Sequence, residues 1–383
     1  MSELFRIING ALRLDSRKVI NYAEFLADKL EANGDKASAS RLRKLLSENE
    51  RQLHPAKVTS KALPVDSETR FPLVEDVNLQ DSAEPPLILS EDQKNLVNEF
   101  ISVAKSQAQF ESHGVSTPMT LLVYGPPGCG KNRLAREVSR GLGLKLYMVR
   151  LDGLISSFLG STSKNIRAIF DFVDGTPCVL FLDEFDAIAK LRDDAQELGE
   201  LKRVVNSFLQ NLDSIGMQCV VIAATNHHQL LDTAVWRRFG YRLEFKYPPT
   251  ELRFQMWKEF LDTIKMSEHE VEIISDLSEG FSGADIREVC LRLRRQVIIT
   301  KKKQTLRDAF IGLRRLASGD VKNGKFILEL GDDDSEIAKK LNQRNSKLYS
   351  SSSVASLLEV SRATANRWAK KEDPPNGKPT SQR

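Results

Sequence analysis

Thr120-Leu-Leu-Val-Tyr-Gly125-Pro-Pro-Gly-Cys-Gly-Lys131-Asn-Arg-Leu-Ala135 is the stretch on which the reading of this chain turns. The β-prone run Thr120–Tyr124 enters a loop carrying three glycines, and beyond it Leu134, Val138 and Leu142 recur on one face of a helix. Strand, glycine-rich loop, helix is a phosphate cradle. Gly125, Pro126, Pro127, Gly128, Cys129 and Gly130 let the backbone approach phosphate oxygens, and the helix start adds the positive end of its dipole. Lys131 then reaches the β- and γ-phosphates, with Asn132 and Arg133 next to it at the same nucleotide. The pattern calls for Ser or Thr after the lysine, to place a hydroxyl on Mg²⁺, and Asn132 stands there instead.

Downstream, the apolar run Cys178-Val-Leu-Phe-Leu182 ends in Asp183-Glu184-Phe185-Asp186. A strand that releases carboxylates at its C-terminal end beside a phosphate loop offers Asp183 to the Mg²⁺ shell and Glu184 to the attacking water as base. The plain alternative is an acidic strand cap. Cys219–Ala224 reads as a third strand and ends in Thr225-Asn226, where a neutral amide can orient the same water. Trp236-Arg237-Arg238-Phe239 then brings two cations with no carboxylate pattern nearby, which suits either a γ-phosphate transition state or a surface arginine pair.

From Leu87 to Phe245 short β-rich runs alternate with amphipathic helical stretches, which predicts an α/β fold with a five-stranded parallel sheet covered by helices. The predicted strands are Thr120–Tyr124, Lys145–Leu151, Cys178–Leu182, Cys219–Ala224 and Arg242–Phe245. Around this core the composition shifts. Residues 1–62 read as a helical hairpin with its turn at Gly34-Asp35, and residues 63–86, with four prolines and six acids, as an acidic flexible linker. Residues 87–248 form the α/β part, 249–331 are helical throughout, 332–373 hold two further short helices, and 374–383 read as a disordered tail.

With 383 residues and 41% hydrophobic against 28% charged side chains, the chain has the composition of a globular protein, and collagen-like or wholly disordered readings are excluded. A net charge of +4 is too small to imply a nucleic-acid or membrane partner by itself. No run approaches the length of a membrane span and the N-terminus lacks an export pattern, so a cytoplasmic protein without membrane association is expected. Cys129, Cys178, Cys219 and Cys290 are far apart in sequence, which argues against a disulfide framework or a structural zinc site.

Taken in order, GPPGCGK, FLDEFDA, ATN, LDTAVWRRF and SGADIREVC resemble the AAA+ ATPases, in particular the protein-remodelling branch whose lids carry SGAD. The resemblance covers about residues 87–300. It implies an ATPase core with a helical lid, acting on ATP with Mg²⁺ as a homo-oligomeric ring, usually a hexamer. Asn226 would sense the γ-phosphate, and Arg238, with Arg237 as second candidate, would reach the neighbouring subunit's ATP. Gly283 and Ala284 would lie against adenine and ribose, with a further adenine contact near Leu87–Leu89. Asp285 stands where other branches carry a sensing arginine, so that role is not carried over.

Phe158-Leu159-Gly160 matches the pore loop with which threading members of the family grip a protein chain, and Leu191–Glu200 would supply a second pore loop. Ser157 replaces the usual basic residue, and the alternative is that Phe158 is a loop anchor within its own subunit. The N-terminal hairpin is similar to modules that dock adaptors or substrates. At the other end, Ser353–Ser361 and Arg362–Lys371 are similar to a helix-turn-helix without its turn glycine, with Arg362 and Arg367 available to DNA. Three functions are therefore weighed: a protein remodeller, which leads; a DNA-associated regulatory ATPase; and a nucleotide switch with weak hydrolysis because of Asn132.

Overall fold

The computed structural model describes residues 26–27, 29–31, 35–49, 62–66, 70–79, 85–113, 119–151, 159–187, 200–216, 218–318 and 324–369. The chain divides into two compact units, residues 1–63 and 64–383. In the first, helix α1 (Lys36–Asn49) starts at Asp35, whose carboxylate accepts the Ser38 N–H at 3.1 Å, and Arg43 pairs with Glu31 at 2.6 Å. That hydrogen bond holds the Asp35 carboxyl below its ordinary pKa.

The second unit is built on a six-stranded sheet in the order β1-β3-β4-β5-β2-β6. Its strands are β1 (Glu75–Val77), β2 (Thr120–Tyr124), β3 (Lys145–Arg150), β4 (Cys178–Asp183), β5 (Cys219–Thr225) and β6 (Tyr241–Glu244). Five of these are the strands read from the sequence, and all five run parallel. The sixth, β1, pairs antiparallel with β3 and comes from the segment assigned above to a linker. Its acids misled the composition argument. Val74 and Val77 are buried, and Asp66 is buried against the Asn165 amide at 2.5 Å, so a few inward-facing residues anchor an otherwise acidic edge.

Side chains alternate across the sheet as the strand period requires. Leu122, Leu180 and Val221 enter one core with Phe170, Phe185 and Phe208, whereas Leu121, Val123, Phe181 and Ile222 enter the other with Phe100, Leu134 and Val138. One face is covered by α2 (Glu91–Lys105) and α4 (Lys131–Leu142), with the short α3 (Gln107–Ser112) following α2; the other by α5 (Leu159–Val173) and α6 (Glu200–Asp213). Helix α2 begins in a capping box, Ser90 with Gln93, and α4 ends where Gly143 turns left-handed at φ 68°. The β4–β5 register sets Cys178 directly opposite Cys219, with Sγ atoms 3.7 Å apart in the buried core. Spacing of 41 residues had hidden that neighbourhood.

After α7 (Thr233–Trp236) and β6, the chain is helical: α8 (Thr250–Leu261), α9 (Glu268–Leu277), α10 (Gly283–Thr300), α11 (Leu306–Ala317), α12 (Lys325–Glu329), α13 (Asp334–Arg344), α14 (Ser351–Leu358) and α15 (Arg362–Ala369). Capping boxes at Ser267/Glu270, Ser282/Asp285 and Thr305/Asp308 start α9, α10 and α11. All eight helices draw on one apolar core that runs from Trp257 and Ile274 through Leu313 and Leu341 to Leu357 and Ala365. Arg344 bridges Asp276 and Glu279 and lies over the Phe326 ring, while the Tyr349 hydroxyl donates to Asp276 at 2.6 Å. Burial and that hydrogen bond push the Tyr349 phenol well above its ordinary pKa, so it stays a donor. None of the described helices is long and apolar enough to cross a membrane.

Candidate functional site

The C-terminal edge of the parallel strands opens into a cleft of about 490 Å³, bounded on the far side by α8 and α10. Its lining collects Pro127 to Arg133 from the glycine loop, Asp183 and Glu184 from the end of β4, Asn226 after β5, and Gly283 and Ala284 from α10. Residues scattered over more than 150 positions thus meet, because parallel strands deliver all their C-terminal ends to one side.

The glycines of the loop answer steric demands. At Gly125, φ 136°, a Cβ would overlap the Phe245 carbonyl; at Gly128, φ 76°, it would overlap Ser282 Oγ and come 3.1 Å from Ala284 Cβ. The Gly128 carbonyl accepts the Ala284 N–H at 3.0 Å, so the loop and the start of α10 are tied backbone to backbone. Lys131 is buried, with Nζ donating at 2.8 Å to the carbonyls of Gly125 and Pro126, which leaves one of its three protons for a ligand. Burial draws its pKa down. Burial likewise pushes the Cys129 thiol up to about 11, so no thiolate is available in the loop.

At the end of β4, Glu184 turns left-handed at φ 54°, a costly conformation for a side chain this large. The neighbours enforce it. Phe185 is fully buried and its N–H donates to the Ala224 carbonyl at 2.8 Å, and buried Asp186 accepts the Thr225 hydroxyl at 2.9 Å. The His227 N–H closes on the same hydroxyl at 2.9 Å, so the ends of β4 and β5 are fastened together on either side of Glu184 and Asn226. Asn226 lines the cleft, and its Oδ1 is a buried acceptor without a hydrogen-bond partner among the described residues.

Asn132 Nδ2 donates to Asp183 Oδ2 at 2.9 Å, and Asp183 Oδ1 accepts the Glu184 N–H at 2.9 Å. The carboxylate and the amide oxygen are hard donors of the kind Mg²⁺ takes, and no described cluster of three His, Cys, Asp or Glu is placed to hold a metal without further ligands. The residues therefore fit an ion that draws its other ligands from phosphates and water.

Several expectations need correcting or placing. Arg238 is not an unpartnered cation: it pairs with Asp213 at 3.3 Å and donates to the Ala234 carbonyl at 2.8 Å, outside the cleft lining. Arg237 is exposed. Phe158 and residues 191–199 lie outside the described residues; Leu159 and Gly160 begin α5. Arg362 and Arg367 are exposed on α15, and Glu359, at φ 54°, makes the left-handed turn before it that a glycine was expected to make. Pro86, Leu87 and Ile88 do line the cleft. Sequence reading missed Met256, Phe260, Arg287, Glu288 and Leu291, also in the lining. Arg287 and Leu291 follow Gly283 at four-residue steps along one face of α10, a signal that was there to be read.

Residues 121–247 match the model of the ATPase family associated with various cellular activities (AAA). An uncharacterized AAA family ATPase of Sinorhizobium fredii is 35% identical over 282 residues, 74% of this chain and 85% of that protein. A proteasome-activating nucleotidase of Methanococcus vannielii is 31% identical over 211 residues, and here the chain spans only 52% of its relative's length. In fold, the chain is similar to the crystal structure of the FIGL-1 AAA domain, with a TM-score of 0.54 at 24% identity, covering 76% of this chain and 98% of that one.

Proposed function

The chain belongs to the AAA family of ATPases and hydrolyses ATP, and we propose that it does so as a homo-oligomeric ring, a hexamer, to remodel or thread a protein substrate. The observation that carries the reading is the convergence of buried Lys131, strained Glu184 and the unpaired Asn226 oxygen on one cleft whose far wall is Gly283 and Ala284.

In this reading the glycine loop and Lys131 hold the β- and γ-phosphates, and Gly283 and Ala284, with Leu87 and Ile88, hold the adenosine end. Glu184 takes the proton of the attacking water. Asn226 Oδ1 accepts that water's second hydrogen and fixes its line of approach. Asp183, and Asn132 once its amide has turned, would hold Mg²⁺, which would supply positive charge to the phosphates during hydrolysis. Arg238, with Arg237 beside it, serves the neighbouring subunit's nucleotide; its position outside its own cleft supports action in trans.

Protein as the substrate rests on the sequence Phe158-Leu159-Gly160, whose last two residues begin α5, and on similarity to a proteasome-activating nucleotidase. Phe158→Ala tests it. The variant should keep ATP binding and ring formation and lose ATP-dependent unfolding of a tagged substrate; full unfolding activity in the variant would remove threading.

A second reading draws on α14 and α15, whose left-handed turn at Glu359 presents exposed Arg362, Asn366 and Arg367 on one helix. Under it the protein is a DNA-associated ATPase. Stimulation of ATP hydrolysis by duplex DNA, undiminished in Phe158→Ala, would favour this reading over threading.

A further inference from the structure

The residue after Lys131 departs from the rule of the phosphate loop, and the structure shows what the departure does. A hydroxyl carries donor and acceptor on one atom, so it can give its proton away and still offer lone pairs to a cation. An amide carries them on two atoms, and Asn132 spends its donor on Asp183: Nδ2 lies 2.9 Å from Oδ2, which turns Oδ1 away from that carboxylate. The other carboxylate oxygen is engaged by the Glu184 N–H at 2.9 Å. Both oxygens of Asp183 thus have a donor, and Glu184 is fastened to the pair through its own backbone. For Asn132 and Asp183 to share a cation, their hydrogen bond has to break and the amide has to turn over.

We propose that the Asn132 amide stands in for the cation, holding Asp183 and, through it, the Glu184 backbone, so that this site binds a nucleoside triphosphate with an affinity nearly independent of Mg²⁺. The inference rests on the reading of the cleft as the ATP site. Divalent metal then acts on the hydrolytic step and adds little to retention of the nucleotide.

The test titrates the β,γ-imido analogue of ATP into the full chain by calorimetry, in excess Mg²⁺ and in excess EDTA, for the natural chain and for Asn132→Thr. The natural chain should show a Kd ratio between the two buffers below about fivefold, and Asn132→Thr a ratio larger than that by about tenfold or more. A ratio above fivefold in the natural chain overturns the proposal, and so does an equal ratio in the two proteins, because metal dependence would then not be set by residue 132. Absence of binding in both buffers overturns the nucleotide site itself. As a readout independent of turnover, Mn²⁺ should be retained more tightly by the analogue-loaded Asn132→Thr protein than by the natural one in its paramagnetic resonance spectrum; equal retention counts against the proposal.

Discussion

Gly128→Ala probes the contact that ties the glycine loop to the start of α10. Residue 128 sits at φ 76°, where an L side chain is strained by roughly 1–2 kcal/mol. The new Cβ would also overlap Ser282 Oγ and press on Ala284 Cβ, and since both belong to the start of α10, the helix must back away. Backing away breaks the hydrogen bond from the Ala284 N–H to the Gly128 carbonyl, a further loss of about 1 kcal/mol. Together these come to about 2–3 kcal/mol, and where ATP has to restore the native loop and its tie to α10 in order to bind, they appear as a weakening of binding by up to about 30- to 150-fold. Calorimetry on the single variants and on the Gly128→Ala/Ser282→Ala pair separates the parts. Ser282→Ala costs α10 its cap, about 1 kcal/mol, but removes the side chain that the new Cβ meets. The double variant should therefore bind about fivefold more tightly than the two single losses multiplied together. Losses that multiply in full, within about 0.3 kcal/mol, would refute the close approach of loop and lid as the cause.

Arg238→Ala should leave ATP binding intact and lower hydrolysis by about 10³- to 10⁵-fold, the range for a lost arginine finger, with partial recovery on mixing with Lys131→Ala subunits. Mixed oligomers that form and recover nothing would refute action in trans. Leu357→Ala, at a fully buried position of α14, should destabilise the helical region by about 2–5 kcal/mol and lower its melting midpoint by on the order of 10 °C. In single-tryptophan variants retaining Trp257 or Trp368 the two midpoints should fall together; separate midpoints would mean two cores where one is described.

What could be read without coordinates was what is local along the chain. The glycine loop, the β4 carboxylates and five strands rest on contiguous patterns of a dozen residues or fewer, and the family motifs rest on their order. Features made by chance encounters of distant segments were beyond that reach. Asp213 and Arg238 are 25 residues apart, Cys178 and Cys219 are 41 apart, and Asn132 and Asp183 are 51 apart; nothing in the local pattern of either partner names the other. The edge strand β1 failed for a different reason. The burial around it comes from Val74, Val77 and one of the six acids, Asp66, which a composition average counts as exposed polar charge. Three arginines of α10 and α11 likewise find partners far along the chain: Arg294 with Asp262, Arg307 with Glu359, Arg314 with Asp332.

The single apolar core shared by α8 through α15 has a mechanical meaning. A lid that ended at Glu329 would be a flap, and whatever followed would trail from it on a swivel. Here Tyr349 and Arg344 bolt the later helices to Asp276, and Leu357 and Ala365 are set in the same packing as Trp257. The helical part is therefore built as one arm. Its short end is the Gly128–Ala284 contact at the glycine loop, and its long end is the exposed face of α15 with Arg362 and Arg367. Because α8 through α15 share one core, a displacement of α10 against the phosphate loop would carry the exposed face of α15 with it.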